Sequence, residues 1–240
     1  MLRGIYTAAV GMMARQTQQE IVSNNLANVN TAGFKHDRLF FRNTLDAISL
    51  INNDPQKPPV EEFRTDFSQG RLYKTDNPLD FAIEGDGFFV VEGPNGPLYT
   101  RNGHFVMNDS RELLTANGLP VLGENGPIVL PEGEFSVNHR GEILNQDNEL
   151  INRFLVARFE GPQAALMKVG NSLFSQRGNA PDPEMVEAPV RQGYLESANV
   201  NIVEQMVEMI MVLRDFAHNQ KTIQAQDDTL RRAVNDLGRI

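Results

Sequence analysis

The C-terminal stretch VNIVEQMVEMIMVLRDFAHNQKTIQAQDDTLRRAVNDLGRI (residues 200–240) carries a regular apolar pattern. A first series recurs every seven residues and consists of Ile202, Met209, Phe216, Ile223, Leu230 and Leu237. Seven-residue spacing places side chains on one stripe of an α-helix, as in a coiled coil. A second series, four positions after the first, begins at Met206 and Leu213, becomes polar at Gln220 and Asp227, and is apolar again at Val234.

The predicted C-terminal helix is long and should need a partner. No Gly or Pro interrupts the chain between Asn199 and Leu237. At about 1.5 Å per residue, the helix would be roughly 55 Å long. Because an isolated helix leaves its apolar stripe in water, we expect another helix to cover it. Either Asn199 or Asn201 is expected to cap its start, with Glu204 completing a capping-box pattern after Asn201.

A second helix is predicted over residues 2–31. Ile5, Met12 and Leu26 share a seven-residue phase, and small residues in the first half permit close approach of another helix. We expect Gly33 to end this helix with a positive φ. Two interpretations stay open for the amide side chains near its end: they hydrogen-bond across an interface, or they form a frayed last turn. These residues are Asn24, Asn25, Asn28 and Asn30.

The middle of the chain has the pattern of a β domain. Residues 36–50 fit either a short helix or an extended segment, and 52–59 has the composition of a flexible link. From about residue 76 to 190, short apolar runs alternate with turn dipeptides, which indicates a mostly antiparallel β domain. Its core is expected to draw on Phe88, Val90, Leu98, Phe105, Leu114, Val121, Ile128 and Leu155.

The predicted fold class is therefore mainly β with terminal helices around a central antiparallel β domain. The expected segments are an N-terminal helix (1–35), a linking segment (36–75), the β domain (76–192) and a C-terminal helix (193–240).

Composition excludes several classes of function. A chain of 240 residues with 40% hydrophobic content is long enough for a real core. A net charge of −9 argues against a nucleic-acid-binding protein. The chain has no Cys, which excludes disulfides and Cys metal sites. No apolar run approaches the roughly 18 residues of a membrane span. The N-terminal segment has no small-residue cleavage site, so we expect it to remain in the mature protein.

The sequence predicts no catalytic residue, no metal ligand and no cofactor. Asp80, Glu84 and Asp86 lie close together, but the ligand spacing of a calcium loop is absent, and turn chemistry explains Asp86 between two glycines. The alternative is a carbohydrate-active β domain that uses these carboxylates, or an adhesive module. The histidines show no metal-ligand spacing and are expected on surfaces or loops: His36, His104, His139 and His218.

Four stretches resemble the bacterial flagellar rod and hook proteins. They are SNNLANVNTAGFK (Ser23–Lys35), TDNPLDFAIEGDGFF (Thr75–Phe89), YTRNG (Tyr99–Gly103) and LESANVN (Leu195–Asn201). Ala198 stands where this family usually has Ser. The segment VLGENGPIVLPEG (residues 121–133) resembles the proximal-rod branch, with the distal-rod and hook-type branches as alternatives.

The resemblance implies a structural subunit without catalysis. Such a subunit is exported unprocessed through the flagellar type III apparatus and assembles helically into the drive shaft between membrane ring and hook. The terminal helices would pair in a coiled-coil-like inner layer of the periplasmic rod, with the β domain outside. The expected partners are other copies, neighbouring rod and hook subunits and the export apparatus, with no nucleic acid, small-molecule substrate or membrane insertion.

We expect the assembly interface to use apolar and amide residues of both terminal helices, with register-setting contacts at Gln220 and Asp227. The expected residues are Ile5, Met12, Asn24, Asn25, Leu26, Asn28, Ile202, Met206, Met209, Leu213, Phe216, Ile223 and Leu230.

Overall fold

The computed structural model describes residues 2–41, 61–178 and 180–237. Within these residues the chain forms two compact units. The predicted link at 52–59 and residues 42–50 lie outside the described residues. We use the name helical unit for Met1–Ala27, Asp37–Arg64 and Asn201–Ile240, and β unit for Asn28–His36 and Thr65–Val200.

The described chain contains two long helices and one short helix. They are α1 (Leu2–Ala27), the single turn α2 (Pro162–Ala165) and α3 (Ile202–Leu237). At about 1.5 Å per residue, the 36 residues of α3 span roughly 54 Å, as the sequence predicted. The long helices α1 and α3 contact each other. The helical unit also holds β1 (Asp37–Phe41), which pairs with β2 (Glu61–Thr65).

The ends of the long helices follow from local hydrogen bonding. Asn201 caps α3, because its Oδ1 accepts hydrogen bonds from the backbone N–H groups of Val203 at 3.1 Å and Glu204 at 3.5 Å. The α1 helix ends at Ala27, earlier than predicted, and a turn follows that places Gly33 at φ 66°. The expected positive φ of Gly33 is thus confirmed, whereas the helix end is displaced.

The β unit is built from short strands. In chain order they are β3 (Leu72–Lys74), β4 (Phe81–Ile83), β5 (Phe88–Gly93), β6 (Gly96–Thr100), β7 (Phe105–Met107), β8 (Leu113–Thr115), β9 (Leu122–Gly123), β10 (Gly126–Pro127), β11 (Ser136–Val137), β12 (Glu142–Leu144), β13 (Leu150–Arg153), β14 (Val156–Arg158), β15 (Leu166–Gly170), β16 (Leu173–Gln176), β17 (Glu184–Met185), β18 (Val190–Gln192) and β19 (Tyr194–Glu196). The largest sheet has the order β15-β16-β6-β5-β14-β17, with antiparallel neighbours throughout.

Two apolar cores lie on opposite faces of this sheet. Along β5, Phe89 and Val91 belong to one core, whereas Phe88 and Val90 belong to the other, because side chains alternate along a strand. The predicted core is largely confirmed, with Leu98 and Leu155 packed at its margins. The exception is Leu114: Leu113 takes the buried position, and a one-residue difference in register exchanges the two faces of a strand.

One turn geometry recurs in the hairpins of the β unit. In each case an Asn side chain accepts a hydrogen bond from the backbone N–H of the Glu four residues later, and its Nδ2 donates to that carboxylate. The residue before the Glu has a φ between 59° and 74°. The turns are Asn108–Glu112, Asn138–Glu142 and Asn145–Glu149. These side-chain hydrogen bonds fix the register of each hairpin locally.

Candidate assembly surface

Of the two series that the apolar pattern indicates on α3, only the first lies on the less exposed side of the helix. Four members of the first series, Met209, Phe216, Ile223 and Leu230, are half-buried. The series that begins at Met206 is exposed, including Gln220 and Asp227. The second inward series is instead Gln205, Val212, Asn219 and Gln226, which are buried or half-buried. Because three of these four are polar, hydrophobic periodicity did not reveal them.

Polar side chains connect the two helices at successive positions. Arg15 Nη2 lies 3.1 Å from Asp215 Oδ2, and Gln18 Nε2 donates to Glu208 Oε1 at 2.9 Å. Asn25 is 1% exposed, and its Nδ2 donates to Gln205 Oε1 at 3.2 Å. The same Asn25 amide forms both a donor and an acceptor hydrogen bond with the backbone of Asp37 in β1. This buried amide therefore joins α1, α3 and β1.

The first part of α3 exposes a continuous apolar surface, which we call the outer face of α3. Its side chains are between 42% and 69% exposed: Ile202, Val203, Met206, Val207, Ile210, Met211 and Leu213. Fully burying one such side chain is worth roughly 1.5–3 kcal/mol. Contiguous exposed apolar patches of this kind are uncommon on soluble monomers.

The exposed side of α1 is chemically different. A groove of about 660 Å³ runs between α1 and Phe216. Five of its seven lining residues have polar side chains; the lining consists of Gln16, Gln19, Glu20, Ser23, Asn24, Ala27 and Phe216. The helical unit thus presents one apolar and one amide-rich face.

The structure divides the residues of the expected assembly interface into two groups. Ile202, Met206, Leu213 and Asn24 are exposed. Asn28 belongs to the β unit, and the side chain of Ile5 lies outside the described residues. The remaining members are buried or half-buried, namely Met12, Asn25, Leu26, Met209, Phe216, Ile223 and Leu230.

The β unit contains a buried ion cluster that sequence reasoning missed. It consists of Lys35, Arg101 and Glu196, each at most 4% exposed. Lys35 Nζ lies 2.5 Å from Glu196 Oε1, and Arg101 Nη1 lies 3.2 Å from Glu196 Oε2. Burial lowers the pKa of the Lys35 ammonium and of the Arg101 guanidinium, and attraction to the Glu196 carboxylate partly offsets both shifts.

Backbone groups complete the buried ion cluster. Lys35 Nζ donates to the Ser68 carbonyl at 2.6 Å, and Arg101 Nη2 donates to the Gly85 carbonyl at 2.8 Å. The Gly70 N–H donates to Glu196 Oε1 at 2.9 Å. Buried charges are tolerated when they are paired and hydrogen-bonded in this way. The sequence contained one signal for this cluster: its Lys, Arg and Glu each lie in a different one of the four stretches that resemble the flagellar rod and hook proteins.

Position 33 lies beside the same cluster, and close backbone contacts require a glycine there. A Cβ atom on Gly33 would lie 2.3 Å from the carbonyl carbon of Arg101 and from the backbone nitrogen of Asn102. The Gly33 N–H donates to the Glu196 carbonyl at 2.8 Å. Three stretches that are distant in sequence, Ser23–Lys35, Tyr99–Gly103 and Leu195–Asn201, therefore meet at one point.

The carboxylates weighed as catalytic candidates have local partners or face solvent. Asp80 Oδ1 lies 2.7 Å from His104 Nδ1 and accepts from Asn77 Nδ2 at 3.1 Å. Glu84 forms a two-bond contact with Arg191 at 2.8 and 3.2 Å, and Asp86 is exposed. Among the described residues, no group of three or more acidic, His or Cys side chains is placed to hold a metal ion.

His36 lies in a loop but is 6% exposed, and its Nδ1 lies 3.2 Å from Asn199 Oδ1. None of the helices in the described part of the chain combines the length and the apolar character that a membrane crossing requires.

Three family profiles match successive parts of the chain. "Flagella basal body rod protein" matches residues 5–35, which include most of α1 and Lys35. "Flagellar hook protein FlgE/F/G D1 domain" matches residues 82–145, and "Flagellar basal body rod FlgEFG protein C-terminal" matches residues 191–237. The chain is also 34% identical to the flagellar basal-body rod protein FlgG of Borreliella burgdorferi, over 98% of each chain.

The chain belongs to the flagellar basal-body rod protein family. Further relatives include FlgF of Mesorhizobium japonicum, 30% identical over 98% of this chain and 97% of the relative. FlgG of Bacillus subtilis is also 30% identical, over 98% of this chain and 99% of the relative. A structural role in the flagellar basal body follows from this membership, and both branches are represented among the relatives. The buried ion cluster lies where stretches matched by the first and third profiles meet Arg101, which the second profile covers.

Proposed function

We propose that this chain is a non-catalytic axial subunit that assembles helically with copies of itself and with neighbouring rod and hook subunits. The observation that carries the proposal is the apolar outer face of α3, which nothing else in the described chain covers. Ordering two long helices costs conformational entropy, and burial of this face against a neighbour would offset that cost.

An open, helical mode of association suits the two faces of the helical unit. The outer face of α3 is apolar, whereas the groove beside α1 is lined mainly by amides and by Glu20. Because these surfaces differ, a contact between the apolar face of one copy and another surface of the next copy would be head-to-tail. Such a contact generates a filament when the rotation between successive copies does not close a ring.

We assign different tasks to the two groups of interface residues. Ile202, Met206, Leu213 and Asn24 contact neighbouring subunits. Met209, Phe216, Ile223 and Leu230 instead form the coiled-coil-like pairing of α3 with α1, together with Met12, Asn25 and Leu26. The half-burial of this second group and its seven-residue spacing support the assignment.

Membership of the flagellar rod family supports the proposed placement, export and rod position of this chain. The helical unit would form a discontinuous inner domain, and the β unit would form the outer layer of a periplasmic rod. Export through the flagellar type III apparatus would deliver the chain unprocessed. Residues 121–133 favour the proximal rod, and the FlgG relatives make the distal rod the alternative position.

Replacing Leu213 by Asp tests the assembly proposal. Leu213 is 46% exposed, so Leu213→Asp should leave the β unit folded and abolish assembly. Assembly is measured by sedimentation and electron microscopy of the purified chain, and by swimming of a strain whose own copy is replaced. Gln224→Asp, at an exposed position three turns further along α3, is the matched control and should assemble. Normal rods from Leu213→Asp would refute the proposed surface.

A further inference from the structure

The helix pair contains a set of polar contacts, which we call the polar seam. It consists of Arg15 with Asp215, Gln18 with Glu208, and Asn25 with Gln205. Close to them, a Cβ atom on Gly11 would lie 3.3 Å from Asn219 Nδ2, so Gly11 lies directly opposite this amide. In these pairs the residue number on α1 increases as the residue number on α3 decreases, so the two helices run antiparallel.

We propose that the polar seam is a register key, which selects one antiparallel alignment of α1 and α3 and disfavours alignments displaced by a heptad. The inference concerns a single chain and does not depend on the assembly proposal. It assigns Asn25, Arg15 and Asp215 a task in specificity, separate from the apolar contacts of the pair.

A heptad displacement illustrates how the key would act. Apolar residues recur every seven positions on α3, so a slip of seven residues keeps most apolar contacts of that stripe. A slip in one direction brings Asp215 opposite the buried Val22 and Val212 opposite the buried Asn25. It therefore separates the Asp215 carboxylate from Arg15 and the Asn25 amide from Gln205. The apolar stripe alone does not distinguish the two alignments, whereas the polar seam does.

The seam residues are better suited to selection than to stabilisation. Arg15 and Asp215 are 35% and 47% exposed, and such surface ion pairs add little stability. Asn25 is buried, and its amide is satisfied by Gln205 and by the backbone of Asp37. A single buried amide is known to fix the register of paired helices at a cost in stability.

The chain lacks Cys, so introduced thiols report the register directly. Gly11→Cys with Asn219→Cys is the native-register reporter, and Gly11→Cys with Gln226→Cys reports the slip that places Asp215 opposite Val22. The full-length chain is equilibrated in a glutathione redox buffer. The yield of intrachain disulfide then measures the effective concentration of the two thiols in each register.

We expect the native-register reporter to cross-link and the slip reporter to stay reduced. In the seam variant (Arg15→Leu, Asn25→Leu and Asp215→Leu), the yield of the slip reporter should rise at least about tenfold relative to the native one, because the unpaired polar groups are gone. The control variant replaces as many exposed polar residues, Gln16→Leu, Arg214→Leu and Gln220→Leu, and should leave both yields unchanged.

Three outcomes would overturn the register key. The first is a slip reporter that stays reduced in the seam variant while the native reporter cross-links. The second is loss of both cross-links in the seam variant, which would show that these residues stabilise pairing and do not select its register. The third is equal cross-linking of both reporters when the seam is intact.

Discussion

At the scale of single residues, Glu196 is the shared partner of the buried ion cluster. Its carboxylate contacts Lys35 and Arg101, and it also accepts a hydrogen bond from the Gly70 backbone. Its own carbonyl accepts from Gly33. Removing the carboxylate charge would leave two buried cations without a counter-ion, and breaking a buried ion set in this way is costly.

We predict that Glu196→Gln lowers the free energy of unfolding by about 3–5 kcal/mol. The matched control is Glu84→Gln, which breaks the surface contact with Arg191 and should cost less than about 1 kcal/mol. Urea unfolding of the full chain measures both. Similar losses for the two variants would show that burial does not set the value of the Glu196 contacts.

Sequence reasoning identified the stretches that form this cluster but not their meeting. The positive φ of Gly33 was predictable, because a glycine after a helix favours it. The contact of Gly33 with Arg101 was not, since nothing local relates residues so far apart. Burial of Lys35 was not predictable for the same reason, because a lysine is buried only when partners are present.

At the scale of elements, only one of the two inward series of α3 could be recognised from its apolar residues. Its length and its first series were predictable from the sequence, whereas the cap was predicted only as Asn199 or Asn201. The second inward series was not predictable, because Gln205, Asn219 and Gln226 are polar. Apolar periodicity instead pointed to Met206 and Leu213, which are exposed. On α3 the strongest hydrophobic signal therefore mixes the inward stripe with the outer face.

We predict that Val212→Ala loosens the helix pair whereas Val207→Ala does not. Val212 is 1% exposed, and losing its two methyl groups should cost about 1.5 kcal/mol. Val207 is 46% exposed and lies on the outer face of α3. Hydrogen exchange of α1 amides is the measurement, with roughly tenfold faster exchange expected for Val212→Ala. Unchanged α1 exchange in that variant would mean that Val212 is not part of the pairing.

At the scale of the whole molecule, the two units differ in how they are held together. The β unit has two apolar cores and the buried ion cluster. In the helical unit, most described side chains of α3 are exposed, and Val212 is its one fully buried member among them. The mainly β character and the terminal helices were predictable from turn spacing and heptads. The sheet order was not, because β6 pairs with β16 and β5 with β14 across long stretches of chain.

We predict that limited proteolysis of the unassembled chain removes α1 and α3 and preserves the β unit, residues 28–36 and 65–200. The half-buried contacts of the helical unit should open locally far more often than the cores of the β unit. Mass spectrometry of the fragments over time provides the measurement. Equal resistance along the whole monomer would contradict the difference in stability between the units.

The hydrogen bond between Gln18 and Glu208 joins residues 190 positions apart. In a chain that emerges N-terminus first, α1 appears early and its partner appears only near the end of synthesis or delivery. The β unit is complete at residue 200, before α3 begins. Pairing of the first and last helices therefore cannot be complete until α3 is complete, and a chain cut short within α3 keeps every residue of the β unit but loses part of the contact between α1 and α3.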